Sequence, residues 1–125
     1  MCVYDESGVT PTLLFKGTAP HGGLCGTKPC WKQTGSPLAP KGFKYSDSLL
    51  TPDGTSVIDM KAGTLGRAKV LYKGKGVNLN LSSFITLPLP LRAQVQGTNG
   101  SCFQAAFHAT GLQKNALGQF KAKAD

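Results

Sequence analysis

Apolar and polar residues alternate with a period of two along much of this chain, and that rhythm restricts it to β-structure. Val77-Asn78-Leu79-Asn80-Leu81 alternates strictly, and Leu91-Arg92-Ala93-Gln94-Val95-Gln96 repeats the pattern. In Ala68-Lys69-Val70-Leu71-Tyr72-Lys73, residues Ala68, Val70 and Tyr72 share one face and both lysines take the other. One buried face and one wet face is the signature of antiparallel sheets. Phe103, Ala105 and Phe107 line one side of a further strand, and Cys2–Asp5, Thr12–Lys16, Cys30–Gln33, Phe43–Tyr45 and Ser56–Lys61 are shorter strand candidates. Helical periodicity is nearly absent.

Turn chemistry separates these segments. Thr51-Pro52-Asp53-Gly54 carries the Pro and Asp-Gly of a tight turn. Ala62-Gly63-Thr64-Leu65-Gly66 reads as a hairpin loop, and Thr98-Asn99-Gly100 holds the Asn-Gly pair that joins hairpin strands. Leu87-Pro88-Leu89-Pro90 has no place inside a sheet, because neither proline has an N–H to donate; it predicts an extended edge or crossover segment. The 125 residues suffice for one core. Short strands at turn spacings of roughly ten residues predict an all-β antiparallel sandwich, immunoglobulin-like or similar, of about seven to nine strands. Residues 1–125 form one domain in this reading, with 113–125 as an edge strand around Phe120 or a flexible tail.

Four cysteines, Cys2, Cys25, Cys30 and Cys102, suggest two disulfides and an oxidising compartment. Four cysteines allow three connectivities. The expected pairing is Cys2–Cys25 with Cys30–Cys102, since Trp31 beside Cys30 resembles the tryptophan that packs on an inter-sheet bridge. A local Cys25–Cys30 bridge with Cys2–Cys102 is the main alternative. Met1 is followed at once by Cys2-Val3-Tyr4-Asp5, which reads as structure rather than as a leader. Export then expects a leader that has been removed, or a larger parent protein. No apolar stretch approaches the roughly 20 residues of a membrane-spanning helix.

Lys and Arg number 14 against 6 for Asp and Glu, a net charge of +8. That balance favours polyanions such as anionic glycans and nucleic acid. The densest basic run is Arg67-Ala68-Lys69-Val70-Leu71-Tyr72-Lys73-Gly74-Lys75, in which alternation sets Arg67, Lys69, Lys73 and Lys75 outward. Lysines on an outer strand also block edge-to-edge aggregation. No aromatic residue interleaves on that face, so single-strand bases have no stacking platform.

Catalytic and metal chemistry find little purchase. A zinc set would draw on Cys25, Cys30 and His21 with Cys102 or Cys2 as fourth ligand, but Cys25 and Cys30 are separated by four residues, at the limit for a zinc pair, and no second pair follows. A thioredoxin-like Cys-x-x-Cys is missing, and so is Gly-x-Ser-x-Gly beside the two histidines His21 and His108. No cofactor is expected. A zinc or hydrolytic protein is the weakest of the readings.

As an ordered set, several motifs resemble a Cys/Lys/Gly-rich module that recurs in exported bacterial proteins, often at their C-terminal ends. They are Cys2-Val3-Tyr4-Asp5, Gly22-Gly23-Leu24-Cys25-Gly26-Thr27-Lys28-Pro29-Cys30-Trp31-Lys32, Gly42-Phe43-Lys44-Tyr45, Thr51-Pro52-Asp53-Gly54, Lys61-Ala62-Gly63 and Gly66-Arg67-Ala68-Lys69. Further along come Lys73-Gly74-Lys75-Gly76, Asn78-Leu79, Leu87-Pro88-Leu89, Cys102-Phe103, Lys114-Asn115 and Phe120-Lys121-Ala122-Lys123. The chain departs from the pattern at Asn80-Leu81-Ser82-Ser83, where a proline is expected. The resemblance implies an extracellular or cell-surface β module and brings no catalytic residues with it.

The expectation is therefore a non-enzymatic structural, adhesion or assembly module of a secreted or surface protein. Its partners would be other domains of a parent protein or copies of itself, assembled into fibres or a surface layer. The alternative is a polyanion- or carbohydrate-binding module using the strip Arg67, Lys69, Lys73 and Lys75.

Overall fold

The computed structural model describes residues 1–81, 86–117 and 119–124. Those residues form twelve short strands, all paired antiparallel, with one 3-10 turn at Ala109–Gly111 and no α-helix. No helix among them is long and apolar enough to cross a membrane. The β class follows from the alternation. The chain divides into two compact units: Met1–Lys16 with Leu81–Asp125, and Gly17–Asn80.

In the first unit, β1 (Cys2–Asp5), β2 (Thr12–Lys16), β9 (Leu91–Gln96) and β10 (Cys102–Phe107) form a four-stranded sheet in the order β10-β9-β1-β2. Ala93 lies opposite both Val3 and Ala105, Val3 opposite Phe15, and Leu91 opposite Phe107. These residues form the apolar face, in which Phe15 and Leu91 are buried. The other face carries Gln94, which donates to Gln104 and accepts from Gln96. The β9–β10 hairpin turns through Gly97–Ser101, with Asn99 Oδ1 accepting from the Ser101 N–H.

Leu87-Pro88-Leu89-Pro90 lies outside the strands, as its prolines require. Its backbone bonds are made singly instead, the Pro90 carbonyl accepting from the Glu6 N–H at 3.0 Å. Asn115 accepts from the Leu87 N–H at 2.8 Å and donates to the Leu87 carbonyl at 2.8 Å, replacing a neighbouring strand. Asn115 belongs to β11 (Leu112–Ala116), which pairs with β12 (Gln119–Ala122), so the tail is a hairpin with Phe120 on its last strand.

In the second unit, β5 (Trp31–Ser36), β6 (Ala39–Ser46), β7 (Thr55–Lys61) and β8 (Lys69–Gly74) form a meander in sequence order. One row of directly opposed residues crosses all four strands: Trp31, Tyr45, Ile58 and Tyr72. Tyr45 and Ile58 are buried with Cys30, and Ala19, Trp31, Met60 and Tyr72 pack against them. The Trp31 and Tyr45 rings meet at a tilt, with centroids 5.2 Å apart, a favourable aromatic geometry. The Trp31 indole N–H donates to the Pro20 carbonyl at 2.8 Å. Gly42 sits mid-sheet with φ +149, where a Cβ would fall 1.9 Å from the Met60 carbonyl oxygen, so only glycine allows β6 and β7 to pair there.

The β6–β7 connection is organised by buried Asp47. Its carboxylate accepts from the Leu49 N–H, the Thr51 N–H and hydroxyl, and the Tyr45 hydroxyl. Burial pushes the Asp47 carboxyl up, but these donors outweigh it and hold it below the ordinary range. Burial, with Asp47 beside it, pushes the Tyr45 hydroxyl up, so it stays protonated as a donor. Thr51–Gly54 turns as its sequence predicts, with Gly54 N–H bonded to the Leu50 carbonyl.

Two expectations are corrected. Residues 77–81 are not a strand: β8 ends at Gly74, and the chain turns through Gly76 with the Leu79 N–H bonded to the Gly76 carbonyl. The alternation there does not report burial: Val77 is fully exposed in the turn, and the Asn78 side chain donates to the Leu50 carbonyl. Ser82 and Ser83 of the neighbouring departure lie outside the described residues.

The disulfide pairing also differs. The bridge is Cys25–Cys30, while Cys2 and Cys102 are unbridged thiols. Cys25 ends β3 (Leu24–Cys25), which pairs with β4 (Lys28–Pro29) through a two-residue turn at Gly26 and Thr27. That hairpin brings the Cys25 and Cys30 Cα atoms to 4.9 Å, within bridging range. Cys2 and Cys102 flank β9 on opposite sides, on β1 and β10, so a whole strand separates their backbones. Two strand spacings amount to roughly 9–10 Å, beyond a disulfide's reach.

Two outcomes are expected. Asp47→Ala lowers unfolding stability by about 2 kcal/mol, measured in urea, since the buried Tyr45 hydroxyl and the part-buried Leu49 and Thr51 donors lose their acceptor. The stability that the carboxylate contributes is present above the unfolded-state pKa of about 4 and is lost as pH falls through the lower folded value, so the acid limb of the wild-type stability curve flattens in the variant. A thiol titration of the denatured, unreduced protein should find Cys2 and Cys102 reactive and Cys25 and Cys30 silent.

Candidate functional site: a lysine face

Burying the aromatic row on one side of the β5–β8 sheet sends the alternate residues to the other side. The register then lays out that second face row by row. Lys32, Lys44, Asp59 and Leu71 are opposed across the four strands. The adjacent row on one side holds Thr34, Gly42, Lys61 and Lys69; the row on the other side holds Ser46, Val57 and Lys73. Lys32, Lys44, Lys61, Lys69 and Lys73 therefore share a face with a single carboxylate, and all five lysines are exposed.

Two of the opposed pairs, Lys32 with Lys44 and Lys61 with Lys69, set like charges directly across from each other. Such pairs destabilise a sheet. Edge protection accounts for lysines on the outer strands β5 and β8. It does not account for Lys44 on β6 or Lys61 on β7, which are interior strands. Asp59 relieves part of the repulsion through an ion pair with Lys61 at 3.7 Å. Its other oxygen, Oδ1, is shut off from solvent without a hydrogen-bond partner, as is Thr34 Oγ1 on the same face.

At the β5–β6 side the face continues into a cleft of about 300 Å³. Lys28, Lys32 and Lys44 line it together with Ser46 and Ser48, and Pro29 and the Cys25–Cys30 bridge form its wall. Three lysines and two serines are among the lining residues, and no carboxylate is.

Of the strip expected from the sequence, Lys69 and Lys73 lie on β8 and belong to this face. Arg67 falls in the loop before β8, its N–H bonded to the Thr64 carbonyl, and Lys75 lies beyond the strand, its N–H bonded to the Gly54 carbonyl. Alternation thus does not extend to either. Lys32, Lys44 and Lys61 were not singled out because they come from three other strands. Reading them would have required carrying the alternation of Gly42-Phe43-Lys44-Tyr45 and Ile58-Asp59-Met60-Lys61 across the hairpins as well as along them.

The remaining sequence candidates do not converge. Cys25 and Cys30 are consumed by their bridge and are not thiolate ligands. His21 lies in the loop before β3 and His108 just after β10. Among the described residues, no three His, Cys, Asp or Glu side chains come together as a metal-binding group. Compared with protein-family models, with curated proteins and with solved structures, the chain matches none.

If like-charge repulsion is stored in this face, Lys32→Gln and Lys69→Gln should each stabilise the protein at low ionic strength. The expected gain is about 0.5 kcal/mol in thermal or urea unfolding. It should disappear when salt shortens the screening length to a few ångströms.

Proposed function

We propose that this chain is a non-enzymatic module of an exported protein that adheres to anionic polysaccharide through the lysine face of its β5–β8 sheet. The observation that carries this reading is the pair of directly opposed lysine couples, Lys32–Lys44 and Lys61–Lys69, which reach interior strands. Repulsion of that kind is relieved when a polymer with regularly spaced negative groups lies across the face, since each group neutralises more than one ammonium.

A glycan suits the site better than nucleic acid does. Trp31, Phe43, Tyr45 and Tyr72 all belong to the opposite face, so no ring is available to stack a base. The Cys25–Cys30 bridge is compatible with an oxidising, extracellular setting, where anionic polymers are mainly glycans. The resemblance to modules of exported bacterial proteins supports the same setting. The sandwich expected from the strand pattern belongs to this reading as well: two four-stranded antiparallel sheets, each with an apolar face, are the components such a fold requires.

The test separates this face from generic basicity. One variant replaces Lys32, Lys44, Lys61, Lys69 and Lys73 by glutamine; a control replaces Lys16, Lys41, Lys114, Lys121 and Lys123. Both lose the same charge. Heparin binding measured across a salt series should collapse in the first variant, with a much shallower dependence of log affinity on log salt, and remain near wild type in the control. Equal losses in the two variants would refute the proposal.

A further inference from the structure

We infer that the cleft beside the Cys25–Cys30 bridge is a seat for one sulfate or phosphate monoester group on a sugar. This deepens the glycan-binding reading and rests on it for the surrounding polymer. The exposed charge of the open face is chiefly ammonium, which attracts any anion. The cleft adds what a tetrahedral oxyanion uses: hydroxyl donors beside the charge. Ser46, on the strand end of β6, and Ser48, just beyond it, supply them, and Lys28, Lys32 and Lys44 supply the charge.

Three features favour a monoester over a carboxylate or a bare polymer backbone. Lys32 and Lys44 are directly opposed, so one anion between them relieves a repulsion that neither can escape by itself. Lys28 comes from a separate element, the β3–β4 hairpin, so charge reaches the cleft from two elements. A carboxylate is planar and offers two oxygens, whereas a sulfate or phosphate ester presents three terminal oxygens to donors converging from different sides. The wall of Pro29 and the disulfide is apolar and offers a surface for the C–H face of the sugar that carries the ester. The volume of about 300 Å³ accommodates such a group with part of its ring.

Titration of the isotopically labelled protein with glucose 6-sulfate, glucose 6-phosphate, inorganic sulfate and glucose, followed by amide chemical shifts, tests the assignment. Both esters should give saturable shifts centred on Lys28, Lys32, Lys44, Ser46 and Ser48, at least fivefold tighter than inorganic sulfate, and glucose should give none. The ratio of the two esters identifies which oxyanion the seat prefers. The double variant Ser46→Ala, Ser48→Ala leaves net charge unchanged; it should weaken ester binding at least fivefold while heparin retains its salt dependence. Shifts spread evenly over all the face lysines, ester binding unaffected by the double variant, or free sulfate bound as tightly as the esters would each overturn the seat while leaving the polymer reading standing. If instead heparin binding tracks net charge alone but the esters fill the cleft, the polymer reading fails and the seat survives.

Discussion

Everything in the second unit depends on burial of the Trp31–Tyr45–Ile58–Tyr72 row. A sheet has only two faces, and consecutive side chains must alternate between them. Once the aromatic row is committed to the core, Lys32, Lys44, Asp59 and Leu71 are committed to the opposite side, and the rows beside them follow. A register slip of a single residue would expose the rings and bury the lysines, and the cost of desolvating ammonium groups forbids it. The charged face is thus fixed by hydrophobic forces acting on the other face, which is how a surface with internal repulsion persists. Asp47 and Gly42 protect the same register locally, one by pinning the β6–β7 connection and the other by permitting the close approach of the two strands.

Much of this was legible in the sequence. Cys2–Asp5, Thr12–Lys16 and Leu91–Gln96 are strands with the bounds their patterns predict, and the loops at 62–66 and 98–100 turn where Gly and Asn-Gly fall. Alternation works because it reports a local property: which side of one strand faces water. It misled at Val77–Leu81, where glycines at 74 and 76 end the strand and the turn leaves Val77 fully exposed. The two-residue strands β3 and β4 carry too few residues for any periodicity to register.

The candidate site, and the choice among the disulfide pairings, were illegible for a different reason: both are properties of pairing between segments. Lys69 and Lys73 could be read together because they share a strand. Lys32, Lys44 and Lys61 join them only through inter-strand register. Likewise, Trp31 pointed to a long-range bridge at Cys30; Cys30 is buried against Tyr45 and Ile58, but its partner is Cys25 and not Cys102. The turn at Gly26 and Thr27 sets Cys25 beside Cys30, closing the short loop rather than a long one.

That short loop limits what the bridge can do. A crosslink spanning five positions restrains the unfolded chain much less than a long-range one would, so its main effect is local. It ties the end of β3 to the buried residue just before Trp31, and so fastens one wall of the cleft to the core. Without the bridge the β3–β4 hairpin keeps only its few backbone bonds, whereas the rows of the lysine face, held by strand register, do not depend on it.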